Sequence, residues 1–155
     1  MLKDLTQYNI WANDTICVYI MNAASVVDQP MVSSFTSIRK TLYHIWDAQV
    51  IWLTRLNGLS LTGWPSKTFN GTLQEACSSL HSCSKELNSY ATENDGSKLI
   101  TYTTIDGKEF SSTVDDIITH VVNHGTYHRG QLITLLRQCG YTEVGSTDYI
   151  RFTRR

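Results

Sequence analysis

A chain of 155 residues is long enough for one domain with a real core, burying roughly two thirds of its unfolded surface, and short for two. Its 13 basic and 14 acidic side chains give a net charge of −1, and the two signs are mixed along the sequence. There is thus no electrostatic footprint for a nucleic-acid backbone or an anionic membrane, and the three arginines of the terminal RFTRR read as a solvated end.

No run approaches the roughly 20 apolar residues of a membrane span, and the N-terminal MLKDLTQYNIWAN lacks the continuous apolar core of a secretion signal. The expectation is a cytoplasmic protein. Cys17, Cys77, Cys83 and Cys139 form no CxxC pair, and in a reducing compartment they read as buried thiols.

From Leu2 to about Ala24, the apolar residues Leu5, Tyr8, Ala12, Ile16, Tyr19, Ile20 and Ala23 recur at three and four, the helical period. The segment YNIWAN within it is unusual in placing asparagines beside large aromatics. After a turn-like stretch from Ser25 to Pro30, a second helix is expected from about Ser34 to Asn57, stopped by Asn57-Gly58. It carries so many large apolar groups that it should be buried on most sides. His44 lies near its middle, and periodicity alone leaves it a surface or flank histidine.

Residues 59–71, with Gly63, Pro65 and Gly71, cannot continue a helix. Such a connection can turn tightly or run a helix length at up to about 3.3 Å per residue, so the direction of the third helix stays open. Thr72-Leu73-Gln74-Glu75 is a capping box that starts this helix, which breaks near Asn94-Asp95-Gly96. His81 on it has no partner at ligand spacing and reads as structural or exposed. Residues 99–111 turn to alternating and β-branched character around Asp106-Gly107, which suits a hairpin with a tight type I′ turn. Two strands do not stand alone in water, so the hairpin should lie against the helices. Ser112–Asp115 then caps a fourth helix running to Cys139 and stopped by Gly140. Tyr149, Ile150 and Phe152 suggest a short packed turn in the tail. The fold expected is all-α, a four-helix bundle with a small hairpin between helices three and four, forming one domain over residues 1–155.

The fourth helix holds His120, His124 and His128 at steps of four. Four residues rotate a helical side chain by about 40° and advance it about 6 Å, so neighbouring rungs of this ladder can share one metal ion and the outer two cannot. Relative to the apolar stripe of Ile117, Val121, Leu132 and Leu135, His128 lies inside, His124 on the margin and His120 towards the polar flank. Geometry therefore prefers the pair His124 and His128. A single inward histidine is usually a hydrogen-bonded core residue, but two at ligand spacing each need a buried partner, which a metal supplies to both.

Four long helices, a hairpin before the last, and the string HVVNHGTYHRGQL resemble the DinB-like family of the DinB/YfiT superfamily of four-helix-bundle metalloproteins. YNIWAN, LYHIWDAQVIWLTRL, YTTIDGKEF and TDYIRF add weaker likenesses along nearly the whole chain. The resemblance implies a three-histidine metal centre with His44, His124 and His128 as ligands and His120 outside it. Arg129, Gly130 and Gln131 match the RGQ after the last ligand and read as support and packing.

Three neutral imidazoles suit a divalent transition metal ion, zinc or nickel foremost, with iron and manganese also compatible. Three protein ligands leave a position for water or a thiolate. Relatives in the superfamily include transferases and isomerases that use low-molecular-weight thiols, so the resemblance implies an enzyme activating such a thiol in an S-transferase-like reaction. A non-catalytic metal-binding stress protein and a metal-hydroxide hydrolase are the competing readings. No general base is evident, since Asp47 and Asp116 read as capping, supporting or surface groups. Trp11, Trp46, Trp52, Trp64 and eight tyrosines offer more aromatic surface than one small bundle needs, which suggests a homodimer.

Overall fold

The computed structural model describes residues 2–154. Four long helices, α1 (Leu2–Asn22), α2 (Ile38–Leu56), α3 (Leu73–Glu93) and α4 (Val114–Gln138), form a bundle, with a two-stranded antiparallel sheet, β1 (Leu99–Thr103) and β2 (Glu109–Thr113), between α3 and α4. A short helix, α5 (Tyr149–Thr153), closes the chain and packs on α1. Among the described residues, no helix is long and apolar enough to cross a membrane.

The caps follow the sequence signals closely. Thr72 accepts from the Glu75 amide and the Glu75 carboxylate accepts from the Thr72 amide, so α3 opens with the complete capping box. The last turn of α4 closes as a Schellman motif, with Tyr141 N–H donating to Leu136 O and Gly140 in the left-handed region at φ +88°.

Three local expectations are corrected. Helix α2 starts at Ile38 behind the cap Ser37, whose hydroxyl accepts from Lys40 N–H, so Ser34 and Phe35 stay outside the helix. The α4 cap is Thr113, which accepts from Asp116 N–H, and β2 runs directly into it. The hairpin turn is not type I′, which needs positive φ at two successive residues. Only Gly107 has it (φ +83°); a three-residue loop, Ile105–Gly107, is closed by Thr104 and Lys108.

Helix α1 packs on α3 and α4, and α2 packs on the same two, so α1 and α2 sit diagonally across the bundle. Side-chain contacts set the directions. Thr6 meets Asn88 and Asp14 meets His81, so α1 and α3 are antiparallel. Gln49 meets Ser84 and the Tyr90 hydroxyl donates to Leu56 O, so α2 and α3 run parallel. The connection from α2 to α3 makes this possible by retracing α2: Ser66 bonds Asp47, and Phe69 packs on Tyr43 and Trp46. A 3₁₀ turn, Pro65–Thr68, lies at its midpoint.

The interior falls into two apolar clusters, one around Ile16, Ile20, Leu42, Leu80 and Leu136, the other around Ala12, Leu56, Leu87, Ile117 and Ile118. A belt of buried polar side chains from all four helices joins Asn9, Asn13, Gln49, Ser84 and Arg129. The asparagines of YNIWAN are thus core groups, each hydrogen-bonded as burial requires. Cys17, Cys77 and Cys83 are buried free thiols, and Cys139 is half-buried.

Candidate metal centre

The three histidines that the resemblance brings together from two helices stand together in space. His44 on α2 and His124 and His128 on α4 place one ring nitrogen each within 4.8 Å of one another, and no cysteine or carboxylate joins the group among the described residues. His124 Nε2 lies 2.9 Å from His44 Nε2. That contact requires one protonated nitrogen, and a shared cation takes the proton's place. Nitrogens sharing one tetrahedral zinc ion sit about 3.3 Å apart, from bonds of about 2.0–2.1 Å. The set therefore fits a metal ion with small rotamer adjustments.

Gln131 orients the third ring. His128 Nδ1 donates to Gln131 Oε1 at 2.7 Å, which leaves His128 Nε2 with its lone pair, and Gln131 Nε2 is itself anchored by donating to Ser34 Oγ at 3.0 Å. This is the outer hydrogen bond that fixes tautomer and ring orientation at metal-ligating histidines. Phe35 stacks on His44 with ring centroids 4.1 Å apart and meets His128 edge-on. The helix start at Ile38 matters here, because it frees Ser34 and Phe35 to reach over the site.

Burial keeps all three rings neutral. It pushes His44 down to about 4, helped by the facing His128, and His124 down to about 3, helped by His128, His44, His120 and Arg129. His128 is lowered by burial and partly restored by Gln131. Metal binding needs deprotonated imidazoles, and these rings already are so at neutral pH.

Arg129, next to His128, is fully buried and turns away from the site, as its place in the helix requires. Its Nη1 donates to Asn9 Oδ1 and Asn13 Oδ1, and its Nη2 to Thr126 Oγ1 and the Tyr8 hydroxyl. A Cβ on Gly125 would lie 2.7 Å from Arg129 Nη1. Desolvation lowers the Arg129 pKa, and four neutral oxygens carry its solvation in place of a carboxylate.

The remaining candidates have other partners. His120 is exposed, with its ring edge-on to Trp52 at 5.1 Å. His81 pairs with Asp14 at 2.8 Å on the outside of the bundle. Asp47 accepts from both the amide and the hydroxyl of Ser66, and Asp116 from the hydroxyl of its own cap Thr113. Asp47 thus holds the connecting strap, which brings Trp64 over His44 with centroids 6.1 Å apart. A cavity of about 390 Å³ opens there, lined by Phe35, Tyr43, His44, Trp64 and Lys67. Of these supporting groups, Gln131 was marked in the sequence only as part of the RGQ match, as support and packing. Phe35 and Trp64 carried no such signal, being outside the helices.

The DinB family profile matches residues 1–155. The chain belongs to the DinB family. Protein DinB of Bacillus subtilis (strain 168) is 27% identical over 154 residues, covering 94% of this chain and 89% of the relative. The assignment agrees with the bundle and the hairpin read from the residues, and with the resemblance from which His44, His124 and His128 were expected as a set.

Proposed function

We propose that His44, His124 and His128 ligate one divalent transition metal ion, zinc or nickel foremost, and that the centre activates a low-molecular-weight thiol for S-transfer to an electrophile. The observation that carries this is the convergence of three neutral imidazoles, without a fourth histidine, cysteine or carboxylate ligand among the described residues, beside an aromatic-walled cavity. A bound metal ion holds a coordinated thiol deprotonated at neutral pH. The chain's own residues supply the rest. Gln131 orients His128, Phe35 and Trp64 screen the site from water, and the cavity beside His44 accommodates an apolar acceptor.

The reading places the protein in the cytoplasm, where its free thiols stay reduced. It includes a homodimer, although many of the large rings pack within the chain: Trp11 on Phe152, Trp46 on Phe69 and Trp52 on Tyr102. Sedimentation at micromolar concentration decides between dimer and monomer.

Cobalt substitution tests the chemistry. A thiolate entering the coordination sphere produces an intense sulfur-to-metal charge-transfer band, expected here with at least one member of a panel of small thiols. An unchanged cobalt spectrum across the panel removes the basis for thiol transfer and leaves hydrolysis or non-catalytic metal binding as the better account.

A further inference from the structure

The two buried arginines among the described residues differ in what surrounds their Nη atoms. Arg129 has four oxygens around it. Arg55, near the end of α2, is 7% exposed; its Nε, like that of Arg129, is buried with no hydrogen-bond partner, but whereas the Arg129 Nη atoms meet four oxygens, no hydrogen bond or ion pair reaches the Arg55 guanidinium among the described residues. The groups packed on it are aromatic: the guanidinium carbon lies 4.4 Å from the Trp52 ring centroid and 4.9 Å from that of Tyr102 on β1. Cation–π contact with two rings offsets only part of the cost of desolvating an ion. A structural clamp between α2 and the hairpin does not need the charge, since a methionine or leucine would pack the same two rings.

Arg55 also stands in line with the histidine cluster. His44, Trp52 and Arg55 follow one face of α2, and His124 and His120 follow the facing side of α4. His124 and His120 have centroids 5.9 Å apart, His120 and Trp52 5.1 Å, and Trp52 carries Arg55. A line of ring contacts between α2 and α4 thus runs from the three histidines, over His120 and Trp52, to a planar cation beside the hairpin that has no anionic partner among the described residues. The guanidinium fork matches the two oxygens of an oxyanion.

We infer that Arg55 is the binding site for an oxyanionic group, a carboxylate or phosphate, at the far end of the thiol or acceptor that reaches the three-histidine centre. The link to the thiol rests on the function proposed above, whereas the anion site itself does not.

Two measurements separate them. In metal-free protein, intrinsic tryptophan fluorescence is titrated with hexanoate and with hexanamide. Hexanoate should give a saturable change through Trp52, hexanamide none, and Arg55→Gln should abolish the response while Arg55→Lys keeps part of it. In cobalt-substituted protein, ω-mercaptocarboxylates from mercaptopropionate to mercaptoundecanoate are compared with their amides. The carboxylates should bind roughly tenfold tighter at an intermediate chain length, the preference vanishing in Arg55→Gln. Mercaptoalkylphosphonates distinguish a phosphate from a carboxylate preference. The inference is overturned if hexanoate and hexanamide behave alike, or if the preference survives in Arg55→Gln whose thermal unfolding matches wild type. If hexanoate binds through Arg55 but no thiol alters the cobalt spectrum, the anion site stands and the thiol function falls.

Discussion

Gln131 accepts a hydrogen bond from Nδ1 of His128 at 2.7 Å, and this single contact decides which nitrogen of His128 faces His44 and His124. The RGQ that follows the last histidine therefore divides into two roles. Gln131 aims a candidate ligand, while Arg129 fastens the same turn of α4 to α1.

Removing Gln131 tests the first role. Gln131→Ala should weaken metal binding about 10–100-fold without abolishing it, whereas Gln131→Glu, which keeps an acceptor for Nδ1–H, should retain most of it. Competition titration against a chelator measures both. Equal affinity in Gln131→Ala and wild type would show that packing alone orients His128.

Removing the candidate ligands tests the centre itself. Wild type should hold about one metal ion per chain, and His44→Ala, His124→Ala and His128→Ala should each lose it. His81→Ala should keep it, because that ring is paired with Asp14, and His120→Ala should keep it because His120 faces Trp52. Elemental analysis is sufficient. Loss in His120→Ala together with retention in His128→Ala would move the site one rung down the ladder.

Arg129→Ala leaves Asn9 and Asn13 with unpaired buried oxygens and removes the guanidinium's hydrogen bonds from α4 to α1. The expected loss of stability is about 3 kcal/mol or more. Gly125→Ala drives a methyl group against Arg129 Nη1 and should cost about 1–3 kcal/mol. Denaturant unfolding reads both, and a neutral Gly125→Ala would mean that the guanidinium has room to shift.

Acid should destabilise the metal-free protein through His44 and His124. Their folded-state values, about 4 and about 3, lie below the ordinary value of about 6.5. Between these limits the unfolded chain binds more protons than the folded one, so stability falls as pH drops from about 6.5 and levels off below the folded values. The lowered carboxylates Asp28, Glu75, Asp95 and Asp106 start from 3.8 or 4.5, so above about pH 5 the histidines dominate the slope. Unfolding of the metal-free protein at about pH 7 and about pH 5 should show the decline, and the double variant His44→Ala with His124→Ala should reduce it, leaving the part that the lowered His128 and His120 carry.

Much of this protein was legible in one dimension, because the relevant physics is local. Helical periodicity, the Thr72–Glu75 capping box, the glycine stop at Gly140 and the 40° steps of the histidine ladder all act within a few residues, and the four helices, the hairpin and the choice of His124 with His128 follow from them. What tertiary structure decided involves residues far apart in the chain. His44 is 80 positions from His124, and its own helix marks it only as a flank residue; packing α2 against α4 turns it into the third member of the cluster. The parallel course of α2 and α3 depends on a connection whose composition permits either direction, and the Asp47–Ser66 contact along α2 selects one. The polar belt needs Asn9, Asn13, Gln49, Ser84 and Arg129 at a single level of four helices. No local rule sets that level, because each side chain becomes favourable only when the others arrive to satisfy it.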